Sequence, residues 1–377
     1  MRLAIVNTST GWGGLEMNVI KLAKELQKNG VEVYMVCQQG TQFEKQASES
    51  FPSILKLNNV KKYFDFKNAR VVSRFFNEQQ IQVVFTAYRP DLDLLLWVKR
   101  KTKSIKIIHQ QQMQIGIPKK GYFQRLRFKA VDLWLTPLEW LKSEVIEKTT
   151  LDSNKIRIVP LGVNKSLFEN MTISRTEAQQ FFQFQTDAFV LGVIGRIDPK
   201  KGQLFLSKAI KCLIDMGEDV VLLIVGAPTI DDENGQKYYE SILKYIAENG
   251  LQDRILFAPF TKQVNNFYQA IDLFVMSSEG ETFGMVTVEA LFSKKPVIGT
   301  NSSGTPEVLG HGTRGKLYEF DNLDSFIEAY FEVRKSLELG KLNGDLIQQE
   351  AMNLYSLDLE VKGVLDAINE LKLKSHR

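Results

Sequence analysis

Short apolar runs alternate with amphipathic stretches over the first 160 residues of the chain. Runs typical of buried strands are RLAIVN, VEVYMVC, SILKL, VVFTA, IKIIH, LWLT and IRIVPLG, and helical periodicity falls near 15–29, 66–79, 91–101 and 138–149. Strands that alternate with helices favour a parallel sheet with helices on both faces. The pattern therefore predicts a doubly wound α/β domain.

Polar, glutamine-rich sequence at 164–186 interrupts this pattern, and the alternation resumes with AFVLGVIG at 188. Further helices are predicted near 202–216, 235–249, 262–270 and 284–293. We expect two Rossmann-like α/β domains, 1–165 and 187–357, joined by the polar segment near 165–187, and a C-terminal helix of about 358–377 that is able to return to the first. Because ligands of parallel sheets bind beyond the carboxyl ends of the strands, we expect a cleft between two facing sheets.

The composition agrees with a two-domain globular protein. The chain has 377 residues, of which 44% are hydrophobic and 24% charged, and its longest apolar runs are strand-sized. No membrane-spanning helix is predicted, because a span needs roughly 18 apolar residues. The two cysteines, Cys37 and Cys212, lie in different apolar elements, which indicates buried thiols and a cytoplasmic location. Three scattered histidines offer no recognised metal-site spacing, so no metal is expected.

The net charge of +4 conceals a strong local bias, because the segment from Lys99 to Lys129 holds ten basic residues and no acidic one. Apolar and aromatic residues are interleaved with the cations in its second half. Such a segment suits contact with anionic lipid, and a solvated basic face is the alternative. We expect no nucleic-acid partner, since no binding module is recognisable. The candidate membrane patch is Lys119, Lys120, Tyr122, Phe123, Arg125, Arg127 and Lys129.

The first strand runs into TGWGGLE, a glycine loop that precedes a helix. Its Gly13 and Gly14 are candidates for binding an acceptor or a phosphate, since backbone amides at a helix start attract anions. A plain turn is the alternative. The loop is not a dinucleotide fingerprint, because Glu16 stands where the third glycine belongs.

The second domain opens with a strand followed by GRIDPKKGQ, which places Arg196 and Lys201 in a loop before a helix. Two cations beside exposed helix amides suit a diphosphate, while a solvated basic turn is the alternative. In the first half, His109 closes IKIIH, at the end of a strand that faces the expected cleft. It either contacts a ligand or bonds the backbone. The acidic pair in RPDLDLLLWVKR is read as a feature that caps its own helix.

The stretch EGETFGMVTVEAL, residues 279–291, places Glu281 before a predicted helix and Glu289 inside it. Eight helical residues extend about 12 Å. That separation exceeds the roughly 5 to 9.5 Å of glycosidase carboxylate pairs, so an acid and base acting on one bond is disfavoured. The two glutamates suit opposite ends of an extended ligand, with helix amides between them. The alternative is that neither glutamate binds a ligand: Glu281 is then favoured only by the helix dipole, and Glu289 is solvated.

These stretches together resemble the family 4 glycosyltransferases with the GT-B fold. EGETFGMVTVEAL matches the E-x(7)-E motif of that family, and TGWGGLE, VPLGVN, GRIDPKKG and SSGTPEVL match its other motifs in the same order. The resemblance covers nearly the whole chain. It implies a retaining, metal-independent transfer of a sugar from a nucleotide sugar, with no cofactor, in a cleft between the two domains.

The resemblance also implies a role for each candidate residue. Arg196 and Lys201 would hold the donor diphosphate, Glu281 the sugar hydroxyls and Glu289 the ribose hydroxyls. The amides of Phe283, Gly284 and Met285 would bind the sugar or the phosphates, and His109 would contact the donor sugar. The catalytic set implied is His109, Glu281, Arg196 and Lys201.

The first domain would then bind the acceptor and the second the nucleotide sugar, with UDP favoured as the nucleotide. The expected acceptor is a cell-surface glycan or a lipid-linked precursor, such as one of lipopolysaccharide or capsule, reached at the inner face of the plasma membrane. The alternatives are a small soluble acceptor, a nucleotide-sugar epimerase or phosphorylase of the same architecture, and a non-catalytic binding protein on this scaffold, which Arg196, Lys201, Glu281 and Glu289 argue against.

Overall fold

The computed structural model describes residues 1–169, 172–229 and 232–373. Within these ranges the chain divides into two compact units. The first comprises Met1–Gly162 and the C-terminal helix, and the second comprises Val163–Ser356. The predicted helix of about 358–377 corresponds to the C-terminal helix Leu357–Leu373, and its positions 374–377 lie outside the described residues.

The first unit contains a seven-stranded parallel sheet in the order β3-β2-β1-β4-β5-β6-β7 among the described residues. Its strands are β1 (Arg2–Asn7), β2 (Glu32–Gln38), β3 (Ile54–Leu57), β4 (Val83–Thr86), β5 (Lys106–Gln110), β6 (Leu133–Thr136) and β7 (Ile156–Ile158). Its helices are α1 (Gly14–Lys28), α2 (Gln42–Ser50), α3 (Phe66–Glu78), α4 (Asp91–Lys101), α5 (Tyr122–Ala130) and α6 (Glu139–Lys148). The two faces of the sheet carry separate buried clusters, as a doubly wound domain requires.

The second unit contains a six-stranded parallel sheet in the order β10-β9-β8-β11-β12-β13 within the described ranges. Its strands are β8 (Phe189–Ile194), β9 (Val220–Val225), β10 (Ile255–Ala258), β11 (Leu273–Met276), β12 (Val297–Thr300) and β13 (Lys316–Tyr318). Its helices are α7 (Ser166–Glu169), α8 (Arg175–Phe181), α9 (Gln203–Asp215), α10 (Glu233–Glu248), α11 (Val264–Ala270), α12 (Met285–Phe292), α13 (Thr305–Val308), α14 (Leu323–Glu338) and α15 (Gly344–Tyr355). The predicted fold class, two Rossmann-like α/β domains, is confirmed.

The polar segment that we expected to join the domains folds within the second unit. Its helix α8 packs against α11, and Arg175 forms an ion pair with Asp272 at 2.9 Å. The C-terminal helix belongs to the first unit because Val361, Val364 and Ile368, spaced for one helix face, are buried in that unit's core.

Two further expectations concern membrane spans and thiols. None of the helices within the described residues is both long and apolar enough to cross a bilayer. Both cysteines are free; Cys37 is buried, whereas Cys212 is only partly buried.

Candidate active site

Three loops meet at the carboxyl edge of the second sheet, where the sequence predicts the donor site. The Ser277 hydroxyl, just after β11, donates to the Lys201 carbonyl in the loop after β8 at 2.6 Å. The Gly304 amide, after β12, donates to the Glu281 carbonyl at 3.0 Å. These bonds hold Lys201 and Glu281 at one edge although they are 80 residues apart in sequence.

Lys201 and Glu281 form an ion pair, with 2.7 Å between Nζ and Oε2. Their side chains are 30% and 20% exposed, so both remain reachable from solvent. An ammonium group has three donors, and one bond to Glu281 leaves two for an anionic ligand. The pair therefore combines a fixed cation with an acceptor for hydroxyl groups.

Arg196 shares the loop with Lys201 but is held differently. Its side chain is 66% exposed, and its nearest carboxylate, that of Asp198, lies 4.0 Å away. An exposed pair at that distance contributes little. The backbone is better fixed, because Gln203 Nε2 donates to the Arg196 carbonyl at 2.8 Å. The guanidinium is thus an available, bidentate-capable donor on an anchored loop.

The N-terminus of α12 follows directly on Glu281. Gly284 takes a left-handed φ of +81° as the N-cap, and a Cβ there would lie 3.2 Å from the Glu281 Cγ. The amides of Phe283, Gly284 and Met285 find no acceptor in the described part of the chain. Such amides and the helix dipole attract negative charge. The Phe283 ring itself is buried against Tyr355, at 5.5 Å between centroids.

Glu289 lies in the second turn of α12 and is partly buried. Its Oε2 is 3.0 Å from the Tyr268 hydroxyl, which also lies 2.9 Å from the Val286 carbonyl. Burial, followed by the Glu289 charge, raises the pKa of Tyr268, so this phenol stays a donor. Glu289 is therefore oriented by a buried partner rather than free in solvent. No sequence motif marks Tyr268, so its role as the partner of Glu289 was not predicted.

His109 ends β5 in the first unit and is only 2% exposed. Its ring lies 4.2 Å from the Trp134 ring, and both line a cavity of about 140 Å³ together with Arg89, Gln111 and Gln112. Burial, more than the nearby Arg89 guanidinium, lowers the pKa of His109 to about 3. The imidazole is therefore neutral at physiological pH. Its Nδ1 is buried without a partner in the described residues.

This depressed pKa predicts an acid-dependent loss of stability. Between about pH 3 and 6.5 the unfolded chain binds a proton at His109 more tightly than the folded chain does. The stability that depends on a neutral His109 is therefore fully present above about pH 6.5 and is lost as the pH falls. We compare the free energy of unfolding of the wild type with that of His109→Asn. The wild-type value minus the variant value should decrease by up to about 1.4 kcal/mol for each pH unit of acidification. Urea unfolding at stepped pH measures this difference.

The comparison with His109→Asn also cancels the pH dependence of stability that Asp91 contributes, because both proteins contain Asp91. Burial raises the pKa of that carboxyl to about 7, which gives an opposite pH slope in both proteins. A difference between wild type and His109→Asn that does not change with pH would contradict a buried, neutral His109.

The glycine loop of the first unit starts α1 at Gly14, with Gly13 as its N-cap. The Gly13 amide donates to Glu16 Oε2 at 2.9 Å. The helix thus supplies its own carboxylate to one of the amides expected to bind an anion. The proposed acceptor or phosphate role of Gly13 and Gly14 stays a prediction.

The acidic pair lies in the first turn of α4, where the helix dipole favours it as predicted, but no side-chain cap is formed at the N-cap of that helix. Asp91 is 1% exposed and accepts from the Thr8 amide at 3.2 Å and the Thr86 hydroxyl at 3.0 Å. Asp93 accepts from Arg127 Nε at 2.9 Å. Both carboxylates instead fasten neighbouring segments of the first unit, because they face its interior.

The ion pair between Arg127 and Asp93 removes one residue from the predicted membrane patch. Arg127 is buried, with a side chain only 10% exposed, and its charge is neutralised by Asp93. It cannot meet a membrane without breaking that pair. Lys119 is partly buried, and the remaining members, Lys120, Tyr122, Phe123, Arg125 and Lys129, are exposed.

The structure thus brings together Lys201, Glu281 and the amides before α12 in the second unit, with Arg196 on the same loop as Lys201. His109, Gly13 and Gly14 belong to the first unit.

The chain is similar to known glycosyltransferases over both of its units. The model for "Glycosyl transferases group 1" matches residues 174–350, and that for "Glycosyltransferase Family 4" matches residues 12–167. The capsular polysaccharide biosynthesis glycosyltransferase CapM of Staphylococcus aureus is 21% identical over 359 residues, covering 89% of this chain and 92% of that protein.

A second relative and a solved structure extend the comparison. The Escherichia coli UDP-Gal:alpha-D-GlcNAc-diphosphoundecaprenol alpha-1,3-galactosyltransferase is 26% identical over 194 residues, 51% of this chain and 48% of that protein. A glycosyltransferase structure from Rickettsia africae superposes with a TM-score of 0.88 at 21% identity, covering 98% of each chain. With both family models matched in order, the chain belongs to the family 4 glycosyltransferases with the GT-B fold.

Proposed function

We propose that this glycosyltransferase transfers a sugar from a UDP-sugar to a lipid-linked or cell-surface glycan acceptor, with retention of configuration and without a metal ion. The observation that carries the donor half is the Lys201–Glu281 pair beside the amides at the start of α12, which have no acceptor among the described residues. A cation and helix amides stabilise the departing diphosphate, while a carboxylate accepts hydrogen bonds from the sugar hydroxyls. Glu289, oriented by Tyr268, suits the two hydroxyls of a ribose.

The reaction breaks the bond between the anomeric carbon and the diphosphate oxygen and forms a bond from that carbon to the oxygen of an acceptor hydroxyl, whose proton passes to the departing diphosphate. Negative charge grows on the diphosphate as that bond breaks. Lys201 and Arg196 are placed to neutralise it, in the role that a divalent ion has in other transferases. The neutral His109 imidazole suits a hydrogen bond to a sugar hydroxyl.

The acceptor class is supported by the relatives. One acts in capsule synthesis, and another, by its name, uses UDP-Gal and a diphosphoundecaprenol acceptor. We infer that the present enzyme works at the inner face of the plasma membrane on an acceptor of this kind. A small soluble acceptor is the alternative.

The donor proposal predicts selective binding that does not depend on metal. UDP should raise the thermal unfolding midpoint more than GDP or ADP, and EDTA should leave this shift unchanged. With the matching UDP-sugar, slow hydrolysis should release UDP and the sugar in its original anomeric configuration, as followed by NMR. Binding or turnover that requires Mn²⁺ or Mg²⁺, or an inverted product, would contradict the proposal. Supplying lipid-linked or soluble acceptors then separates the two acceptor classes.

A further inference from the structure

Five aromatic side chains of the first unit form one connected exposed cluster, here called the aromatic face: Phe64, Phe66, Trp97, Tyr122 and Phe123. Phe64 joins the three segments, at 5.9 Å from Trp97 and 5.4 Å from Phe123. Four of the five side chains are about half exposed or more, from 48% to 72%. Exposed apolar clusters of this kind mark interaction sites.

The fold holds the aromatic face in place. Phe64 and Phe66 flank Asp65, a buried residue that caps α3 by accepting from the Asn68 amide at 3.1 Å. Trp97 lies in α4 and donates through Nε1 to the Tyr63 carbonyl at 2.6 Å. Tyr122 and Phe123 begin α5, and α4 packs against both α3 and α5. The surface is therefore built by tertiary contacts.

The three segments that form the aromatic face are rich in cations. Arg100 lies over the Trp97 ring, at 4.6 Å from its centroid. Segments 61–67, 97–103 and 117–125 contain one carboxylate between them, that of Asp65, which is 4% exposed. The basic residues of these segments that form no ion pair with any described residue are Lys61, Lys62, Lys67, Arg100, Lys101, Lys103, Lys119, Lys120 and Arg125.

Ring geometry decides between the ligands that such a surface could take. Stacking on sugars or nucleobases needs open ring faces. Three of the five ring contacts are edge to face, at 86° for Phe64–Phe123, 64° for Phe66–Trp97 and 79° for Tyr122–Phe123, and the contacts of Phe64 with Phe66 and Trp97 are tilted at 40° and 38°. None of the five contacts is a parallel stack, and Arg100 already occupies one face of Trp97, so the cluster does not form an open stacking platform. A second copy of the chain is disfavoured because it would oppose like charges.

We propose that the aromatic face docks the enzyme on a bilayer that contains anionic lipid. The rings would enter the headgroup region, and the surrounding lysines and arginines would contact lipid phosphates. The surface extends well beyond the basic segment of α5, to residues 61–67 and to α4, and it excludes Arg127. Its biological purpose rests on the proposed lipid-linked acceptor, but docking itself is measurable without donor or acceptor.

Co-sedimentation of the purified full-length protein with vesicles tests the proposal. We expect binding to vesicles of phosphatidylcholine mixed with phosphatidylglycerol, little binding to phosphatidylcholine alone, and weakening by salt. Lys119→Glu combined with Lys120→Glu should lower the binding constant at least about 25-fold, at about fivefold for each lost charge. Phe64→Ser combined with Phe123→Ser should lower it at least about tenfold at unchanged net charge.

The matched control carries the same change of net charge on the second unit. Lys237→Glu combined with Lys244→Glu, both exposed on α10, should leave vesicle binding within about twofold of wild type, because binding is local to the aromatic face. An equal loss in the control would overturn the proposal, since net charge would then explain the attraction. So would failure of the wild type to bind anionic vesicles, or equal retention by all variants.

Two further measurements separate this inference from the proposed function. Soluble heparin serves as a polyanion probe; wild-type protein that binds heparin but not vesicles would assign the surface to a polyanion and overturn docking. UDP-induced thermal stabilisation should be unchanged in the Lys119→Glu, Lys120→Glu variant. Vesicle binding without any stabilisation by UDP would support docking and refute the donor proposal. Stabilisation by UDP without vesicle binding would support the donor proposal and refute docking.

Discussion

Glu281→Ala is expected to lower the rate of sugar transfer by about 100-fold to 1,000-fold while the protein stays folded. The substitution removes the carboxylate that is proposed to accept a hydrogen bond from a hydroxyl of the donor sugar. It also releases Lys201, whose ammonium is held 2.7 Å from the Glu281 carboxylate. A cation that is no longer preorganised stabilises the departing diphosphate less well. The rate is measured as UDP release in the presence of donor and acceptor.

Glu279→Ala is the matched control, because Glu279 lies in the same loop but is exposed. We expect it to retain nearly the wild-type rate. Circular dichroism and thermal unfolding of both variants should match wild type closely, since neither side chain lies in a hydrophobic core. Wild-type turnover by Glu281→Ala, or an equal loss in Glu279→Ala, would refute the assigned role of Glu281.

Gly202→Ala is expected to cost more than about 3 kcal/mol of unfolding free energy and to lower the midpoint of the second unit by roughly 6 to 12 °C. Gly202 has a φ of +72°, and an added Cβ would fall inside van der Waals distance of the Ser277 carbonyl oxygen. The loop after β8 would have to move away from the loop after β11. Because Lys201 immediately precedes Gly202, we also expect the UDP-induced stabilisation to be lost.

Gly250→Ala separates backbone strain from steric clash. Gly250 has a similar φ of +64°, but an added Cβ would have no heavy atom within 4 Å. It should cost only the left-handed penalty, about 1 to 2 kcal/mol, and leave UDP binding intact. Calorimetric scans with and without UDP make the comparison. Equal destabilisation by both substitutions would show that the approach of the two loops is not tight.

The sequence was sufficient to predict the fold class because its buried strands are short and strongly apolar. VVLLIV, for example, forms the fully buried β9. Helix α2 was missed because its sequence, QFEKQASES, is mainly polar and buries few apolar side chains. Helix α14 was passed over although Phe326, Tyr330 and Val333 recur at helical spacing, so that signal was present. The glutamine-rich break was mistaken for a linker because composition does not show that α8 packs on α11.

The site was predictable only where a motif marks it. The motif spacing identified Glu281 and Lys201 as candidates, and the structure pairs them directly. Partners supplied by distant segments were not predictable, because no local pattern specifies them. Tyr268 holds Glu289 from 21 residues away, and Asp91 bonds Thr8 from 83 residues away. The exposed aromatic cluster likewise joins three segments that are separate in the sequence.

The return of the C-terminal helix to the first unit has a consequence for biosynthesis. Because Val364 and Ile368 complete the core that begins at Leu3, the first unit is discontinuous and contains the whole second unit as an insertion. During translation the ribosome therefore releases the last segment of the first core only after the second unit has emerged. The later-synthesised unit is able to fold first. The order of folding would then be opposite to the order of synthesis, because the core around the N-terminal strands is complete only when the final helix packs against it.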